Sequence, residues 1–272
     1  MAQDPHEQGM MADLPLWIQI AFKVLIAASV VVTASVVAEK SGPFAGGLIL
    51  ALPVSIGPAY ALLALQASPQ FISESGLGSL ASNVMVGAYV VTYLALALHV
   101  PLAVSLGSAV AVWLAGVFVL KSLALSPALL LTLNLLSFAL FIPLSRKALS
   151  SAPPAARVRR WFALPLRALL VGMLVGTTLT VSALIGSAWT GIVMAFPVTL
   201  TSSILIMQPA IGTLATRALM ASVIRGLAPF TLAYWLIYAC AVPLGTWPAL
   251  GLALLSILVW VGLLYWRGPA PR

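Results

Sequence analysis

Long apolar stretches without a charged residue constrain this sequence more than any other feature. Residues 75–120 contain no Asp, Glu, Lys or Arg, and neither do residues 122–145. A helix needs about 20 apolar residues to cross a bilayer core about 30 Å thick. Charged residues make up 7% of the chain, against about 25% in an ordinary soluble domain. We therefore predict an all-α, polytopic membrane helix bundle, because lipid is the natural solvent for such a surface.

The spacing of the charged residues predicts about nine transmembrane helices. Pro, Gly and small polar residues mark turns at His99–Pro101, Ser187–Trp189 and Pro243–Pro248. The alternating segments of about ten residues that barrel strands need are absent from the sequence. The spans are expected within residues 17–37 (span 1), 43–65 (span 2), 75–120 (spans 3 and 4), 122–145 (span 5), 167–217 (spans 6 and 7) and 225–267 (spans 8 and 9).

A basic segment, residues 145–161, indicates how the chain is oriented. Cytoplasmic loops are enriched in Lys and Arg, so we expect this segment in the cytoplasm. Counting spans from it predicts a cell inner membrane protein with its acidic N-terminus outside and its C-terminus in the cytoplasm. Lys121 is the one cation that this count places on the outer side, against the rule. The net charge of +8 favours anionic lipid headgroups as partners, without a patch typical of nucleic-acid binding. The cations of the segment are Arg146, Lys147, Arg157, Arg159 and Arg160.

The two halves of the sequence align when one is shifted by 144 residues. The alignment has no gap from Trp17 to about Leu65, and a two-residue slip then aligns Pro101 with Pro243. Matches of Trp, Gly and Pro at one register favour a duplication over chance. The matched pairs are Trp17 and Trp161, Lys23 and Arg167, Thr33 and Thr177, Gly42 and Gly186, Gly47 and Gly191, and Pro53 and Pro197.

Each repeat would contain four spans, with span 5 as a linking helix. Because five helices separate equivalent points, the second repeat is predicted to be inverted relative to the first. Many secondary transporters have this arrangement, with the substrate site near the bilayer midplane. The predicted organisation is a short disordered tail (1–14), repeat 1 (15–122), span 5 with the basic cytoplasmic loop (123–160), repeat 2 (161–266) and a cytoplasmic tail (267–272).

The opening of the first repeat carries a short motif that resembles one of a known family. The segment Lys23-Val-Leu, an apolar helix, Gly47-Leu-Ile and then Pro53 resemble the start of the GlpM-like family of small four-helix bacterial membrane proteins. The resemblance covers about the first half of each repeat. It implies an architecture of two such units fused through a linking helix, and it implies no substrate.

A proline interrupts one span in each half, which makes these two spans the main candidates for a substrate site. Proline removes a backbone donor, and in lipid the freed carbonyls must face protein or a water-filled cavity. A structural kink is the alternative, because Pro and Ser/Thr are common in membrane helices. The candidate substrate-binding residues are Pro53, Ser55, Gly57 and Pro58 in span 2, and Pro197, Thr199, Thr201 and Ser202 in span 7.

Lys23 and Arg167 form a second matched pair of candidates. Each follows a tryptophan by six residues, so each lies about 9 Å further along its helix. They could attract an anionic solute at the two entrances. The alternative is that their long side chains reach the headgroups from near the helix ends.

The remaining polar residues within spans argue against cation coupling and catalysis. The five acids lie in the N-terminal tail or near span ends, whereas proton-coupled carriers usually bury a carboxylate. Asn83 and Asn134 are expected to hydrogen-bond between helices, and Tyr60 and Tyr89 could line a cavity or anchor at the interface. No enzyme or metal motif is found in the sequence, so we predict no catalytic residue, metal or cofactor.

These patterns predict a secondary transporter or permease for a small neutral or anionic solute. The mechanism would be alternating access around the paired Pro-broken helices. The alternative is a non-catalytic subunit or scaffold of an envelope or export complex. A homo-oligomer is compatible with either interpretation.

Overall fold

The computed structural model describes residues 56–150 and 163–267, together with Leu25, Ser29 and Thr33. These residues form helices and turns, and the described ranges contain no strand. The all-α prediction is therefore confirmed for this part of the chain. The helices of the two long ranges are α1 (Ile56–Ala64), α2 (Pro69–Leu96), α3 (Leu102–Ser122), α4 (Pro127–Ser150), α5 (Ala163–Met194), α6 (Val198–Ile211), α7 (Thr213–Leu227), α8 (Phe230–Cys240) and α9 (Thr246–Arg267).

Six helical segments in the described ranges are long and apolar enough to cross a membrane. Seven spans, numbers 3 to 9, were expected there. The seventh corresponds to a shorter apolar helix, Ala168–Ser182, in the first part of α5. Of span 1 only Leu25, Ser29 and Thr33 are described, and the start of span 2 lies outside the described residues. The six segments are Pro69–Leu96, Leu102–Ser122, Pro127–Ala148, Leu184–Ile211, Thr213–Cys240 and Thr246–Trp266.

Two helix ends and one interruption follow the predicted turn signals, whereas the boundary expected between Arg217 and Arg225 is wrong, because both arginines lie inside Thr213–Cys240. The chain turns between Leu96 and Leu102, at the His99–Pro101 signal, and between α8 and α9, at the Pro243–Pro248 signal. Helix α5 is interrupted at Gly186, one residue before the signal at Ser187–Trp189. Gly186 has φ 76°, a left-handed conformation that favours glycine. At the start of α2, the Ser68 hydroxyl accepts the Phe71 N–H at 3.2 Å and caps the helix.

Helix α2 lies at the centre of the bundle. It packs against α3, α4, α5, α7 and α8. In its 18-residue apolar stretch, 67% is buried inside the bundle. The segment Leu184–Ile211 is buried to the same extent. The apolar stretches of α3, α4 and α9 are mostly exposed, with only 28%, 22% and 17% buried. These three outer helices expose leucine, valine and phenylalanine, as expected for lipid-facing surfaces.

Hydrogen bonds between helices show the direction in which neighbours run. Ser75 and Ser79 of α2 bond the carbonyls of Ser187 and Gly191, so α2 runs parallel to Leu184–Ile211. The segment Thr213–Cys240, which we call the α7–α8 unit, runs antiparallel to α2. In this pair, Ser73 near the start of α2 meets Tyr238, and Leu94 near its end meets Arg217.

The helix bounds repeat at the shift found in the sequence. The α7–α8 unit begins and ends 144 residues after α2, and both contain 28 residues. Thr246–Trp266 likewise begins and ends 144 residues after α3, and both contain 21 residues. No slip is needed between these bounds. The buried residues of the outer helices match at the same shift, with Ser105, Ala109 and Trp113 on α3 and Ala249, Ala253 and Ile257 on α9.

Candidate functional site

The span Leu184–Ile211 is interrupted where Pro197 predicts it. Helix α5 ends at Met194 and α6 begins at Val198, with Pro197 at φ −78° and ψ 54°. The Phe196 ring in the break packs edge-on against Trp113 of α3, with the ring centroids 4.8 Å apart. The break is therefore enclosed by the neighbouring helix rather than left facing lipid.

The hydroxyl cluster that follows Pro197 is bonded mainly within its own helix. Ser202 and Ser203 both donate to the Thr199 carbonyl, at 3.1 and 2.6 Å. This is the structural role that Ser and Thr commonly have in membrane helices. Thr201 also bonds the Pro197 carbonyl, at 2.8 Å, but its hydroxyl lies 2.9 Å from the Tyr89 hydroxyl of α2 as well. Of the predicted residues, Thr201 thus reaches across to another helix.

Thr201 belongs to a row of polar contacts that we call the polar seam. The seam lies between α2 and Leu184–Ile211, and from Ser75 to Tyr93 it extends about 27 Å along the helix axis. It comprises Ser75, Ser79, Tyr89 and Tyr93 on α2, and Ser187, Gly191, Thr201 and Gln208 opposite. Along it, Ser75 Oγ donates to the Ser187 carbonyl at 3.0 Å, Ser79 Oγ donates to the Gly191 carbonyl at 2.8 Å, and Tyr93 OH donates to Gln208 Oε1 at 2.6 Å.

Opposite charges lie at the two ends of the seam. At the Ser75 end, the Glu74 carboxylate accepts hydrogen bonds from Gln70 Nε2, at 2.9 Å, and from the Ser187 hydroxyl. At the Tyr93 end, Arg217 Nε donates to the Leu94 carbonyl at 3.0 Å. The row of separate polar contacts, about as long as a bilayer core is thick, thus has a carboxylate at one end and a guanidinium at the other.

Backbone contact closes the first part of the seam. A methyl group at Gly78 would lie 2.1 Å from the Ala188 carbonyl oxygen, and one at Gly191 would lie 1.9 Å from that of Ser75. Small residues let membrane helices approach each other in this way, and hydroxyls then bond the facing carbonyls. The helices are therefore in direct contact before the break, whereas longer side chains connect them after it.

A separate buried amide pair joins α2 to α4. Asn83 Nδ2 donates to Asn134 Oδ1 at 3.0 Å, as expected from the sequence. Asn134 Nδ2 in turn donates to the Leu80 and Leu130 carbonyls, each at 2.9 Å. Both amides are almost fully buried. Their hydrogen-bonding capacity is used between helices, which fits a structural role.

The candidates of span 2 are only partly described. Gly57 and Pro58 lie in α1 and are half-buried. Tyr60, in the same helix, places its hydroxyl 2.8 Å from Ser79 Oγ and so connects α1 to the seam. Pro53 and Ser55 lie outside the described residues.

The two matched cations are not placed either. Lys23 lies outside the described residues. Arg167 lies in α5, but the described part of the chain does not include its side chain. Their role as anion attractors stays a prediction.

Sequence reasoning missed Tyr93, Gln208 and Arg217. Spacing could have indicated part of this group, because Ser75, Ser79, Ser82, Tyr89 and Tyr93 follow a three- and four-residue rhythm along one helix face. The partners opposite depend on how helices distant in sequence pack, which spacing does not reveal.

The site and fold together describe a polytopic helical membrane protein with a polar interior contact between two parallel helices. Comparisons with protein-family models, with curated proteins and with solved structures find no match. The described residues contain no group of three or more His, Cys, Asp or Glu side chains that could hold a metal ion.

Proposed function

We propose that this protein is a secondary transporter or permease for a small neutral or anionic solute. The polar seam would form one wall of the solute path, and the break at Pro197 would be its centre. The observation that carries the proposal is the contact between Thr201 and Tyr89, 2.9 Å apart beside that break. It joins hydroxyls of two central helices next to an interrupted backbone, which is how many transporters build their sites.

The proposal includes an inverted repeat of two four-span units. Its support is the antiparallel packing of α2 and the α7–α8 unit, together with helix bounds that recur after 144 residues. Two antiparallel copies are related by an axis in the membrane plane, and such copies can exchange conformations during alternating access. The nine spans, the cytoplasmic C-terminus and the location in an inner membrane are parts of the same proposal, as is the GlpM-like resemblance.

The chemistry of the seam favours solutes that accept and donate hydrogen bonds. Hydroxyl, amide and carbonyl groups line it, and Glu74 at one end is the only acid in the described ranges. A path without a buried carboxylate at mid-depth is better suited to a neutral or anionic solute than to a cation.

Chemical labelling tests whether the seam is a path. Cys240 is the only cysteine of the chain, so a Cys240→Ser background allows single cysteines to be placed at will. Thr201→Cys should react with a small water-soluble methanethiosulfonate reagent in membrane vesicles. The matched control is Ser203→Cys, two residues along α6, where the native hydroxyl is fully buried and bonds its own helix. If Thr201→Cys is as unreactive as Ser203→Cys, no water-filled path reaches the break and the proposal is wrong.

The backbone contacts at Gly78 and Gly191 support a second candidate, a scaffold subunit of an envelope or export complex. Helices in direct contact resist being separated, and a scaffold needs rigid packing rather than a path. A scaffold should leave Thr201→Cys unlabelled and should purify with a partner. A transporter should be labelled and should purify without one.

A further inference from the structure

Helix α2 and the α7–α8 unit form an antiparallel pair, and a hydrogen bond links them near each end. Each bond runs from a side chain of one element to a backbone carbonyl of the other, but the two side chains differ. Ser73 Oγ donates to the Tyr238 carbonyl at 2.6 Å, and Arg217 Nε donates to the Leu94 carbonyl at 3.0 Å. Arg217 lies 144 residues after Ser73, and Tyr238 lies 144 residues after Leu94. The two bonds therefore occupy equivalent places at opposite ends of the pair.

The helices are in close contact at the Ser73 end, and a longer side chain bridges them at the Arg217 end. A serine hydroxyl bridges the helices at Ser73, and a methyl group at nearby Gly76 would lie 3.0 Å from the Tyr238 nitrogen. At the other end the longer arm of Arg217 is used to reach the equivalent carbonyl. The side chain that links the two helices is therefore longer at the end where Arg217, Tyr93 and Gln208 lie.

The hydrogen bond alone does not account for the charge of Arg217. The serine makes an equivalent bond without charge. Arg217 is half-buried and lies four residues after the start of its span, where polar groups or an anion can compensate its charge. Glu74, the only acid in the described ranges, lies at the opposite end of α2. Twenty helical residues separate Glu74 from Leu94, which corresponds to about 30 Å. Among the described residues, therefore, no carboxylate is near enough to pair with Arg217.

The neighbours of Arg217 are polar groups that could hold an anion beside it. Gln208 Nε2 donates to Thr213 Oγ1 at 3.2 Å, and Gln208 Oε1 accepts from Tyr93 OH. Thr213 lies one helical turn before Arg217 on α7, so both side chains lie near the same end of the helix. The guanidinium carries five N–H donors, of which Nε–H is used by Leu94.

We infer that Arg217, with the Gln208 amide and the Thr213 hydroxyl, binds one oxyanion, either a carboxylate or a phosphate. A guanidinium binds such groups through two parallel hydrogen bonds. The inference rests on the proposed transport function and narrows its solute to an anion. The same chemistry is found in a soluble anion and in the headgroup of an anionic lipid.

The experiment measures anion binding and does not require transport. The full chain is purified in phosphatidylcholine nanodiscs, and the midpoint of thermal unfolding is followed by tryptophan fluorescence. Sodium phosphate is titrated against sodium chloride of equal ionic strength. In a second arm, phosphatidylglycerol replaces part of the phosphatidylcholine. Arg217→Gln should weaken the apparent affinity about tenfold or more, because hydrogen bonds to a charged group are lost.

Arg225→Gln is the matched control, since Arg225 lies on the same helix and has the same charge. It should change the affinity less than about twofold. If Arg217→Gln does not fold, Arg217→Lys serves instead, because it keeps the charge but loses the planar pair of donors. Stabilisation by phosphate in phosphatidylcholine identifies a soluble anion as the ligand. Stabilisation by phosphatidylglycerol alone identifies a lipid headgroup. Both results support the site if they depend on Arg217.

The inference is overturned if neither phosphate nor phosphatidylglycerol stabilises the protein. It is also overturned if the Arg217 and Arg225 variants lose affinity equally, since that is an effect of net charge. An Arg217-dependent phosphate site combined with unreactive Thr201→Cys would instead remove the transport proposal alone. Reactive Thr201→Cys without an Arg217 effect would leave a path for neutral solutes and remove only the anion site.

Discussion

Helix α2 and the α7–α8 unit have the same length and similar burial, yet they contribute differently to the bundle. Helix α2 is uninterrupted and carries most of the hydrogen-bonding side chains of the centre, among them Ser79, Asn83 and Tyr93. The α7–α8 unit has Val223, Leu227 and Ile237 at the equivalent positions, and it is interrupted before Phe230. Helix α2 therefore supplies most of the polar contacts, and the α7–α8 unit supplies mainly apolar surface at these positions.

This difference indicates how the polar residues of the bundle are stabilised. Polar side chains are costly in a membrane unless each finds a partner. On α2 the described partners are largely backbone carbonyls and side chains of Leu184–Ile211 and α4. Hydrogen bonds with these two elements therefore satisfy the polar side chains of α2. Substitutions that give α2 the residues found 144 positions later in the α7–α8 unit should therefore destabilise the bundle.

The largest effect is expected at Gly78, where α2 contacts the facing backbone and the α7–α8 unit has a serine at the equivalent position. Gly78 corresponds to Ser222, and the Cβ of Gly78→Ser would lie 2.1 Å from the Ala188 carbonyl oxygen. The backbone would have to separate, which should cost about 3 kcal/mol or more of the free energy of unfolding. SDS titration in mixed micelles measures this loss.

Gly107→Ser is the control for this variant. Gly107 lies in α3, and a methyl group there would meet no atom within 4 Å. Its effect should stay within about 0.5 kcal/mol. Equal losses in the two variants would mean that helix contact at Gly78 is not what holds α2 in place.

A smaller effect is expected from the buried amides. Asn83→Leu gives α2 the residue that its counterpart has at position 227, and it leaves Asn134 without one partner. The free energy of unfolding should fall by about 1–3 kcal/mol, because a buried polar group is left unsatisfied. Asn83→Leu together with Asn134→Leu should cost less than the sum of the two single variants. Additive losses in this double-mutant cycle would contradict the observed pairing.

Local and periodic features of the fold could be predicted from the sequence. Span lengths, the turn at His99–Pro101 and the interruption at Pro197 depend on apolar runs and on proline, which act within a few residues. Gly186 occupies a left-handed conformation next to a predicted turn for the same local reason. That Asn83 and Asn134 each bond another helix could be expected, because an amide in an apolar span needs a partner, but their pairing with each other could not.

The identity of partners across the bundle could not be predicted. Thr201 was a candidate because it follows Pro197, but Ser202 at the same site is bonded to its own helix. Which hydroxyl faces α2 depends on helix rotation, and no sequence rhythm in a uniformly apolar helix determines it. The charge spacing placed Arg217 at the end of span 7, whereas it lies inside Thr213–Cys240, and its contact with Leu94 follows from the antiparallel packing of α2 and α7.

Removal of a single hydroxyl from the seam should have an intermediate effect. Tyr93→Phe leaves Gln208 Oε1 without its 2.6 Å donor, while the ring of the buried tyrosine is retained. The expected loss is about 1 kcal/mol of the free energy of unfolding. Tyr265→Phe, on α9, is the control, because Tyr265 is 68% exposed and its loss should be negligible. A Tyr93 variant as stable as the control would show that this end of the seam contributes nothing to stability.

The smallest effect is expected at the interruption between α7 and α8, which has no equivalent in α2. Pro229, which corresponds to Met85 of α2, has no N–H, so the Arg225 carbonyl cannot receive the bond that residue 229 would otherwise donate. Trp260 Nε1 of α9 donates to that carbonyl at 3.1 Å instead. Trp260→Phe should therefore cost up to about 1 kcal/mol in the native chain. In a Pro229→Ala background the same change should cost almost nothing, because the alanine N–H can take over. An equal cost in both backgrounds would mean that Trp260 stabilises the helix pair by packing alone.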